Sequence, residues 1–226
     1  MRLQAANTLL ALAGVRAPTG EEDKSSSDEK KPPAVLLNLF LGGSKEPIQV
    51  VDGEVREIKI EKPVRLADAV IIPIVTSFRG IVPDQCLLWL TKEESETNWR
   101  AWFGRERQGQ FLLVAETCPG QVIGCALAGL LLGNGKFAGE LYLLGVLPEY
   151  QGRGVGRSLV KAVAKRLLAQ GIRSMRVLVI TVNPHRRFYE ALGGRFVGET
   201  PYDWNGVPLS EAIYGWDDIA HLALPD

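Results

Sequence analysis

The sequence feature that most constrains the fold is a glycine-rich segment in the second half of the chain. Residues 146–160 read VLPEYQGRGVGRSLV, with alternating glycines at Gly152, Gly154 and Gly156. An apolar, strand-like run comes before the glycines, and the segment 156–171 that follows has apolar residues at helical spacing. The pattern predicts a strand, a tight turn and a helix. Such a turn favours a bound phosphate, because the first N–H groups of a helix are unpaired and lie at the positive end of its dipole.

Two familiar phosphate-binding motifs do not fit this segment. A P-loop ends in Gly-Lys-Ser/Thr, whereas this chain reads Gly156-Arg157-Ser158 with the wrong spacing before it. A dinucleotide fingerprint needs G-x-G-x-x-G and an acid at the end of the next strand. Here the glycines alternate as G-x-G-x-G, and the next strand ends VLVIT without an acid. On the glycines alone, a plain turn between strand and helix is an equal alternative.

The segments around the glycines predict a mixed sheet. The runs QFLLVAE, QVIGCALAGLLLG and GELYLLGVLP are strand-like and separated by turn signals, which predicts an antiparallel meander. The strand SMRVLVIT follows the predicted helix, so we expect a right-handed βαβ crossover with a parallel strand pair. A short helix, HRRFYEALGG, precedes a final hairpin of RFVGET and EAIYGW, which the loop PYDWNGVPLS connects. The predicted class is α/β, with an α+β mixed sheet.

The N-terminal part of the chain predicts an extension ahead of the main domain. Residues 19–33 are polar and serine-rich and end in two prolines, so segment 1–33 is predicted to be disordered or signal-like. Segment 34–54 predicts an extra strand or hairpin, for which Asp52-Gly53 suits the turn, and 55–226 forms the main domain. Within that domain the run LADAVIIPIVTSF predicts a helix that Pro73 bends or interrupts.

Composition and charge narrow the function classes. The 26 Lys and Arg balance the 26 Asp and Glu, which disfavours a nucleic-acid binder. The three cysteines and two histidines show no zinc-ligand spacing, and the odd cysteine count gives no disulfide framework, so we expect no metal and a reducing compartment. No apolar run is long enough to span a membrane, so no membrane partner is expected. The expected localisation is cytoplasmic, although the apolar start leaves a signal or transit role for residues 1–18 open.

Two further features indicate which phosphate-containing ligand the glycine turn binds. They are Gly145, which precedes the turn, and the segment after the next strand. A glycine inside a strand marks a bulge or a close approach by another backbone, so Gly145 predicts a splayed strand before the loop. Gln151, Gly154 and Gly156 match the pattern Gln/Arg-x-x-Gly-x-Gly/Ala, and RRFYEALGG follows downstream. Together these segments resemble the GNAT (Gcn5-related) N-acetyltransferase family over roughly residues 55–217. The resemblance implies the acyl-CoA N-acyltransferase fold, with acetyl-CoA as co-substrate.

The resemblance also implies how acetyl-CoA binds. The main chain of Leu144, Gly145 and Val146 is expected to pair with the pantetheine arm, as a strand pairs with a peptide. Successive N–H groups of the loop are expected to form an anion nest around the pyrophosphate. The predicted cofactor-binding residues of the motif are Gln151, Gly152, Arg153, Gly154, Val155, Gly156 and Arg157.

Asn183 stands where the family often has a CoA-binding asparagine. It lies one residue closer to the following Tyr189 than the family spacing, which puts its contact with the cofactor in question. Arg186 and Arg187 are candidates for the ribose phosphate of CoA, with a solvated helix face as an equal alternative.

The implied reaction is direct attack by an amine on the acetyl thioester, which makes three demands. The amine must lose a proton, because an alkyl ammonium has a pKa of about 10.4, and Glu140 is the candidate base. The developing oxyanion needs a fixed donor, for which the N–H of Val146 is the candidate. The departing thiolate needs a proton, and Tyr189 occupies the family's position for that acid. The structural alternatives are a glutamate at the rim and a tyrosine in the core.

The acceptor side is the least constrained part of the site. The residues expected to line it are Phe78, Arg79, Trp89, Trp99, Tyr202, Asp203 and Trp204, with Asp203 able to attract a cationic amine. The acceptor is either a small molecule or a protein amine, and a homodimer stays open by analogy with the fold. The leading interpretation is an acetyl-CoA-dependent N-acetyltransferase. A non-catalytic acyl-CoA-binding protein is the alternative, and a nucleotide-dependent oxidoreductase is a distant third.

Overall fold

A computed structural model describes most of the chain from residue 48 onward. The described residues are 48–51, 54–57, 64–88, 91, 93, 97, 109–117, 122–131, 135–204 and 206–224. The predicted extension 1–33, the turn residues Asp52 and Gly53, and the tryptophans Trp89 and Trp99 lie outside them. Within these ranges, none of the helices combines the length and the apolar character that crossing a membrane requires.

Eight strands form one mixed sheet with helices on both faces. The strands are β1 (Ile48–Val51), β2 (Glu54–Glu57), β3 (Gln110–Glu116), β4 (Val122–Leu130), β5 (Gly139–Val146), β6 (Met175–Ile180), β7 (Arg195–Trp204) and β8 (Val207–Trp216). The α-helices whose bounds the described residues give are α1 (Val64–Phe78), α2 (Val155–Ala169) and α3 (Arg187–Ala191). The strand order is β2-β1-β3-β4-β5-β6-β8-β7. The predicted mixed sheet, with its meander, crossover and final hairpin, is therefore confirmed.

The N-terminal hairpin belongs to the same sheet as the rest of the domain. β1 pairs antiparallel with β2, from Ile48 with Glu57 to Val51 with Glu54. β1 also pairs in parallel with β3, so the hairpin extends the sheet at one edge. The hairpin crosses the predicted boundary between segments 34–54 and 55–226.

The central strand carries a bulge whose position differs from the predicted one. β4 and β5 pair antiparallel, and their register shifts where Leu127 and Ala128 face Leu143 and Leu141. The extra residue is therefore Tyr142, three residues before Gly145, and Gly145 itself lies opposite Cys125 in regular pairing. The prediction of a bulged central strand holds, but the glycine does not mark the bulge.

The crossover connection brings β5 and β6 together along only part of their length. They pair in parallel from Gly139 and Met175 as far as Leu141 and Val177. β5 continues to Val146 and β6 to Ile180, and over this stretch β6 keeps its pairing with β8 alone. The bulge at Tyr142 coincides with the point at which the two strands separate.

The main core lies between the sheet and α2. The helix buries one face, made of Leu159, Val160, Ala162, Val163, Ala164 and Leu167. This face packs on alternate residues of the strands, among them Leu141, Val177 and Tyr214. Buried residues recur about every 3.6 residues in the helix and every second residue in the strands, as the sequence predicted. Glu140, Arg176 and Glu211 alternate with core residues of their strands and therefore project from the opposite face, on which α1 packs.

Two local predictions differ from the structure. α1 runs without interruption through Pro73, which is buried, so packing of this face outweighs the hydrogen bond that proline cannot donate. The segment PYDWNGVPLS is not a loop, because β7 continues to Trp204 and β8 starts at Val207. Cross-strand pairs such as Tyr202 with Leu209 extend the ladder to the Gly206 turn, where φ is 82°.

Candidate active site

The separation of β5 from β6 leaves a slot between two strand edges. On β5, the Leu147 N–H donates to the Ile123 carbonyl at 2.9 Å, which fixes the alternation of the β4–β5 ladder. In that alternation Gly145 exchanges hydrogen bonds with β4, whereas the N–H and C=O groups of Leu144 and Val146 point away from β4 into the slot.

The β6 edge of the slot follows from the same reasoning. The Thr181 N–H donates to the Ser210 carbonyl at 2.8 Å, so Leu178 and Ile180 turn their main-chain groups away from β8. We define the slot by Leu144 and Val146 on one side and Leu178 and Ile180 on the other. An extended ligand can bind to such strand edges through main-chain hydrogen bonds.

The glycine loop closes one end of the slot. Gly152 and Gly154 have φ angles of 70° and 84°, which is the left-handed region that favours glycine. A Cβ at either residue meets nothing within 4 Å, so the outer surface of the loop is open. α2 begins at Val155 without a side-chain cap, so its first N–H groups face this open space. The loop therefore has the geometry of an anion site at a helix N-terminus.

Gln151 and Gly156 hold the loop in place. The Gln151 side chain donates its Nε2–H to the Val146 carbonyl at 3.0 Å and so ties the loop to the slot edge. A Cβ at Gly156 would lie 3.3 Å from Cζ of Phe188, so this glycine makes room for the ring of α3. The three matched glycine and glutamine positions thus have structural roles next to the expected phosphate. Arg153 lies with its guanidinium carbon 5.6 Å from the centre of the Tyr150 ring, and both Arg153 and Arg157 are exposed.

Tyr189 lies on α3 next to Phe188, whose ring approaches Gly156 at the start of α2. Its ring is half-buried, stacks on Tyr214 with centroids 6.2 Å apart, and meets Phe188 edge-on at 5.3 Å. Burial raises the pKa of the Tyr189 phenol above its ordinary value, so the group keeps its proton at neutral pH. A protonated phenol in a fixed orientation meets the requirement for an acid, and this catalytic role stays a prediction.

Asn183 has a local structural role. Its Oδ1 accepts a hydrogen bond from the His185 N–H at 2.8 Å, which caps the short turn Pro184–Arg186. That carbonyl oxygen is therefore engaged within the chain, and contact with the cofactor stays a prediction. Arg186 and Arg187 are exposed, which agrees both with contact to the ribose phosphate of CoA and with a solvated helix face.

Glu140 lies on the α1 face of the sheet as an ion-paired, buried carboxylate. It is 5% exposed, and its Oε2 accepts a hydrogen bond from the Arg176 Nε at 2.6 Å. Burial raises the pKa of Glu140, and Arg176 opposes that rise. Glu140 is therefore not the rim glutamate of the structural alternative, and its role as the base stays a prediction.

Removing the partner of this buried carboxylate is expected to destabilise the fold. Arg176→Met leaves Glu140 without its cation in a low-dielectric setting, so we expect the free energy of unfolding to fall by about 3 kcal/mol. Urea denaturation measures this change. Arg173→Met is the matched control, because Arg173 and Asp218 also lie 2.6 Å apart but are exposed by 63% and 54%. The control is expected to change stability by less than about 1 kcal/mol, and equal losses in both variants would contradict the account.

Sequence reasoning missed a second carboxylate on the same face. Glu211 of β8 is half-buried and pairs with Ile180, the residue of β6 that lines the slot. Burial raises its pKa to about 7, and the nearby charge of Glu140 contributes to the rise. Alternation within EAIYGW places Glu211 on the side of β8 opposite Ala212 and Tyr214, but only the sheet order shows that Glu211 lies one strand away from the slot.

An apolar cluster lies next to these carboxylates on the α1 face. Phe78 and Trp204 meet edge-on at 5.5 Å and pack with Val82, Cys86 and Val207. Ile180, Tyr202 and Leu209 adjoin them, so Phe78, Tyr202 and Trp204 lie in one cluster, and their place on the acceptor side stays a prediction. Among the described residues, the buried Nε1 of Trp204 has no hydrogen-bond acceptor. Asp203 instead accepts from the Gly206 N–H at 2.8 Å in the hairpin turn, and Arg79 is exposed.

Comparisons with known proteins agree with this geometry. Residues 78–194 match the model of the Acetyltransferase (GNAT) family. The chain is 35% identical over 169 residues to the uncharacterized N-acetyltransferase YuaI of Bacillus subtilis, covering 74% of this chain and 95% of that protein. It is 30% identical to the L-methionine sulfoximine/L-methionine sulfone acetyltransferase of Pseudomonas paraeruginosa, covering 67% of this chain and 86% of that protein.

Solved structures show the same fold. The paia N-acetyltransferase of Thermoplasma acidophilum in complex with coenzyme A matches with a TM-score of 0.57 at 20% identity. The match covers 72% of this chain and 96% of that one. A GCN5-related N-acetyltransferase from Rhodopseudomonas palustris matches with a TM-score of 0.54 at 22% identity, covering 69% and 89% of the two chains.

Proposed function

Because the chain belongs to the GNAT family of acetyltransferases, we propose that it moves an acetyl group from acetyl-CoA to a primary amine within a ternary complex. The observation that carries the proposal is the slot with the glycine loop at its end. One end of this site offers main-chain groups to an extended arm, and the other offers helical N–H groups to phosphates. Acetyl-CoA has both parts, and it supplies an acetyl thioester that an amine can attack.

The residues of the loop fit the pyrophosphate of acetyl-CoA. Gly152 and Gly154 leave the approach to the loop backbone free, because the positions of their absent Cβ atoms lie in open space. The N–H groups of Val155, Gly156 and Arg157 start α2 and are available to an anion. Arg153 and Arg157 are exposed next to them and add positive charge.

The residues of the slot fit the pantetheine arm and the reacting carbonyl. Leu144 and Val146 point their main-chain groups into the slot, while Gly145 is held by β4. The Val146 carbonyl already accepts the Gln151 amide, so its N–H is the group left for a ligand. We assign this N–H to the oxygen of the thioester carbonyl, where a fixed donor stabilises developing negative charge. Tyr189 holds the proton that the departing sulfur takes up.

The acceptor is proposed to be a small, amino-acid-like primary amine. The relative from Pseudomonas paraeruginosa is named for L-methionine sulfoximine and L-methionine sulfone, which both carry such an amine. In this chain the apolar cluster of Phe78, Trp204 and their neighbours borders the carboxylates of the α1 face. An apolar wall beside negative charge suits a cationic amine with a short carbon chain.

An acetyl-transfer assay over a panel of amines tests this proposal. The purified protein is incubated with acetyl-CoA and methionine sulfone, methionine sulfoximine, other amino acids, a polyamine or a peptide with a free N-terminus and lysine. We expect mass spectrometry to find the amino-acid-like compounds heavier by one acetyl group, with stoichiometric release of CoA. Acetylation of the peptide alone would contradict the proposed acceptor class. No acetylated product from any amine would contradict the proposed reaction.

A further inference from the structure

We propose that Glu211, rather than Glu140, is the carboxylate that removes the proton from the acceptor amine; the inference rests on the proposed acetyl transfer. The site residues taken from the sequence include only Glu140 as a base. The position of Glu211 beside the open part of the slot carries the assignment.

The sheet register places Glu211 beyond the point where the strands separate. β5 and β6 are last paired at Leu141 and Val177, and Ile180 lies three residues further along β6, about 10 Å away. Glu211 lies opposite Ile180 and projects from the α1 face, the side away from α2 and the main core. Glu140 instead pairs with Arg176 where the two strands are still joined by their ladder. Of the two carboxylates, Glu211 is the one level with the opening along the strands, and only β6 lies between them.

The two carboxylates also differ in their engagement with other groups. Glu140 is 5% exposed and accepts from the Arg176 Nε at 2.6 Å, so a strong cation already occupies one of its oxygens. A base has to reach the proton it abstracts and must leave an oxygen free to accept it. Glu211 is half-buried, so part of its side chain stays accessible. The ion pair suits Glu140 to a positioning role in which its charge acts on Glu211.

The groups around Glu211 bring the pKa of its carboxyl close to neutral pH. Glu140 on β5 raises the pKa of Glu211 and Arg176 on β6 lowers it, while burial is the largest cause of the rise to about 7. On β7, Tyr202 and Asp203 lie nearby, since both Glu211 and Asp203 raise the pKa of the Tyr202 phenol. The described side chains of α1, residues 71–78, carry no charge. A base with a pKa near the operating pH is deprotonated in a large fraction of the molecules and still binds a proton strongly enough to abstract it.

The proton transfers balance as follows. The carboxylate of Glu211 accepts one proton from the ammonium group of the acceptor, which frees the nitrogen lone pair. That nitrogen bonds to the acetyl carbon, and the bond from this carbon to the CoA sulfur breaks with its electron pair on sulfur. The sulfur takes the proton of Tyr189, and the second proton lost by the nitrogen restores the phenol through water. Glu211 then releases its proton to solvent, so one proton is released per acetyl transfer.

The pH dependence of acetyl transfer tests the assignment. In the wild type, kcat/KM is expected to rise with pH through about 7, because Glu211 must be deprotonated to act. Glu211→Gln is expected to lower kcat/KM at pH 7 by about 100-fold or more. The loss is expected to shrink as pH rises toward the pKa of the free amine, because the amine then arrives already deprotonated. A uniform loss at all pH values would show a structural role and overturn the assignment.

Two further variants separate the alternatives. Glu199→Gln is the matched control: Glu199 is an exposed glutamate on β7 that accepts from the Ser210 Oγ at 2.7 Å, and it is expected to leave kcat/KM and its pH profile unchanged. Glu140→Gln is expected to keep the rising limb but move it to lower pH, because the carboxylate charge that raises the pKa of Glu211 is gone. If Glu140→Gln instead removed the rising limb while Glu211→Gln kept it, Glu140 would be the base.

A measurement without turnover distinguishes failure of this inference from failure of the proposed reaction. NMR of the protein with ¹³C-labelled glutamate side chains, with Glu211→Gln used for assignment, gives the titration of the Glu211 carboxyl directly. We expect a midpoint near pH 7 that falls in Glu140→Gln. A midpoint near the ordinary value of about 4.3 would overturn the inference even if acetyl transfer occurs. A midpoint near 7 without acetylation of any amine would overturn the reaction instead.

Discussion

Replacing Gly154 with leucine is expected to weaken acetyl-CoA binding at least about tenfold, or ~1.4 kcal/mol. Gly154 has a φ of 84° and immediately precedes α2, and the position of its missing Cβ is open. A leucine side chain would project into the space assigned to the pyrophosphate. It would also strain the turn that directs the first N–H groups of the helix. Isothermal titration with acetyl-CoA measures the loss.

Gly171 provides the matched control for this substitution. It follows the other end of α2, has a φ of 78°, and likewise has no atom within 4 Å of the position of its Cβ. Leucine at either position costs a similar amount of stability, about 1–2 kcal/mol for a left-handed residue. Gly171→Leu is expected to bind acetyl-CoA as the wild type does. Equal binding by both variants would contradict the assignment of the loop.

Tyr189→Phe is expected to lower kcat about 100-fold while changing the KM for acetyl-CoA little. The substitution removes the phenolic proton but keeps the ring that packs on Phe188 and Tyr214. The loss therefore falls on the step in which the sulfur departs. Steady-state kinetics with the best amine of the panel measures both constants.

Tyr214→Phe is the control for the loss of a hydroxyl in the same aromatic stack. Tyr214 is 2% exposed, and its hydroxyl donates to the Glu190 Oε1 at 2.8 Å. Removing this hydroxyl is expected to reduce stability by about 1 kcal/mol and to leave kcat unchanged. An unchanged kcat in Tyr189→Phe would remove this residue from the mechanism.

Much of the fold was predictable because local patterns and topology rules agree. The alternating runs of the meander, the apolar stripe of α2 and the crossover between parallel strands each have a local signal and a single global arrangement that satisfies it. Longer β7 and β8 were missed because Pro201, Asp203 and Gly206 read as loop residues. In the sheet, Asp203 accepts a hydrogen bond from the Gly206 N–H in the turn, and the other residues of the segment pair across β7 and β8.

The candidate site was predictable only where one continuous segment builds it. The glycine loop and its link through Gln151 follow from a short motif, so the sequence indicates them. Glu140 and Arg176 are 36 residues apart in the sequence, so their pairing depends on β5 and β6 being neighbours. The proximity of Glu211 to both depends on the strand order β5-β6-β8. The position of the bulge at Tyr142 also depends on the register with β4, which no local pattern fixes.

Residue-resolved amide hydrogen exchange with and without acetyl-CoA tests the central claim most directly, namely that the slot and the glycine loop hold this molecule. We expect acetyl-CoA to slow exchange at the N–H groups of Leu144 and Val146 and in the loop 152–157. The Gly145 N–H, already bonded to β4, is expected to change little. Binding of acetyl-CoA that leaves Leu144, Val146 and the loop unprotected would contradict the account.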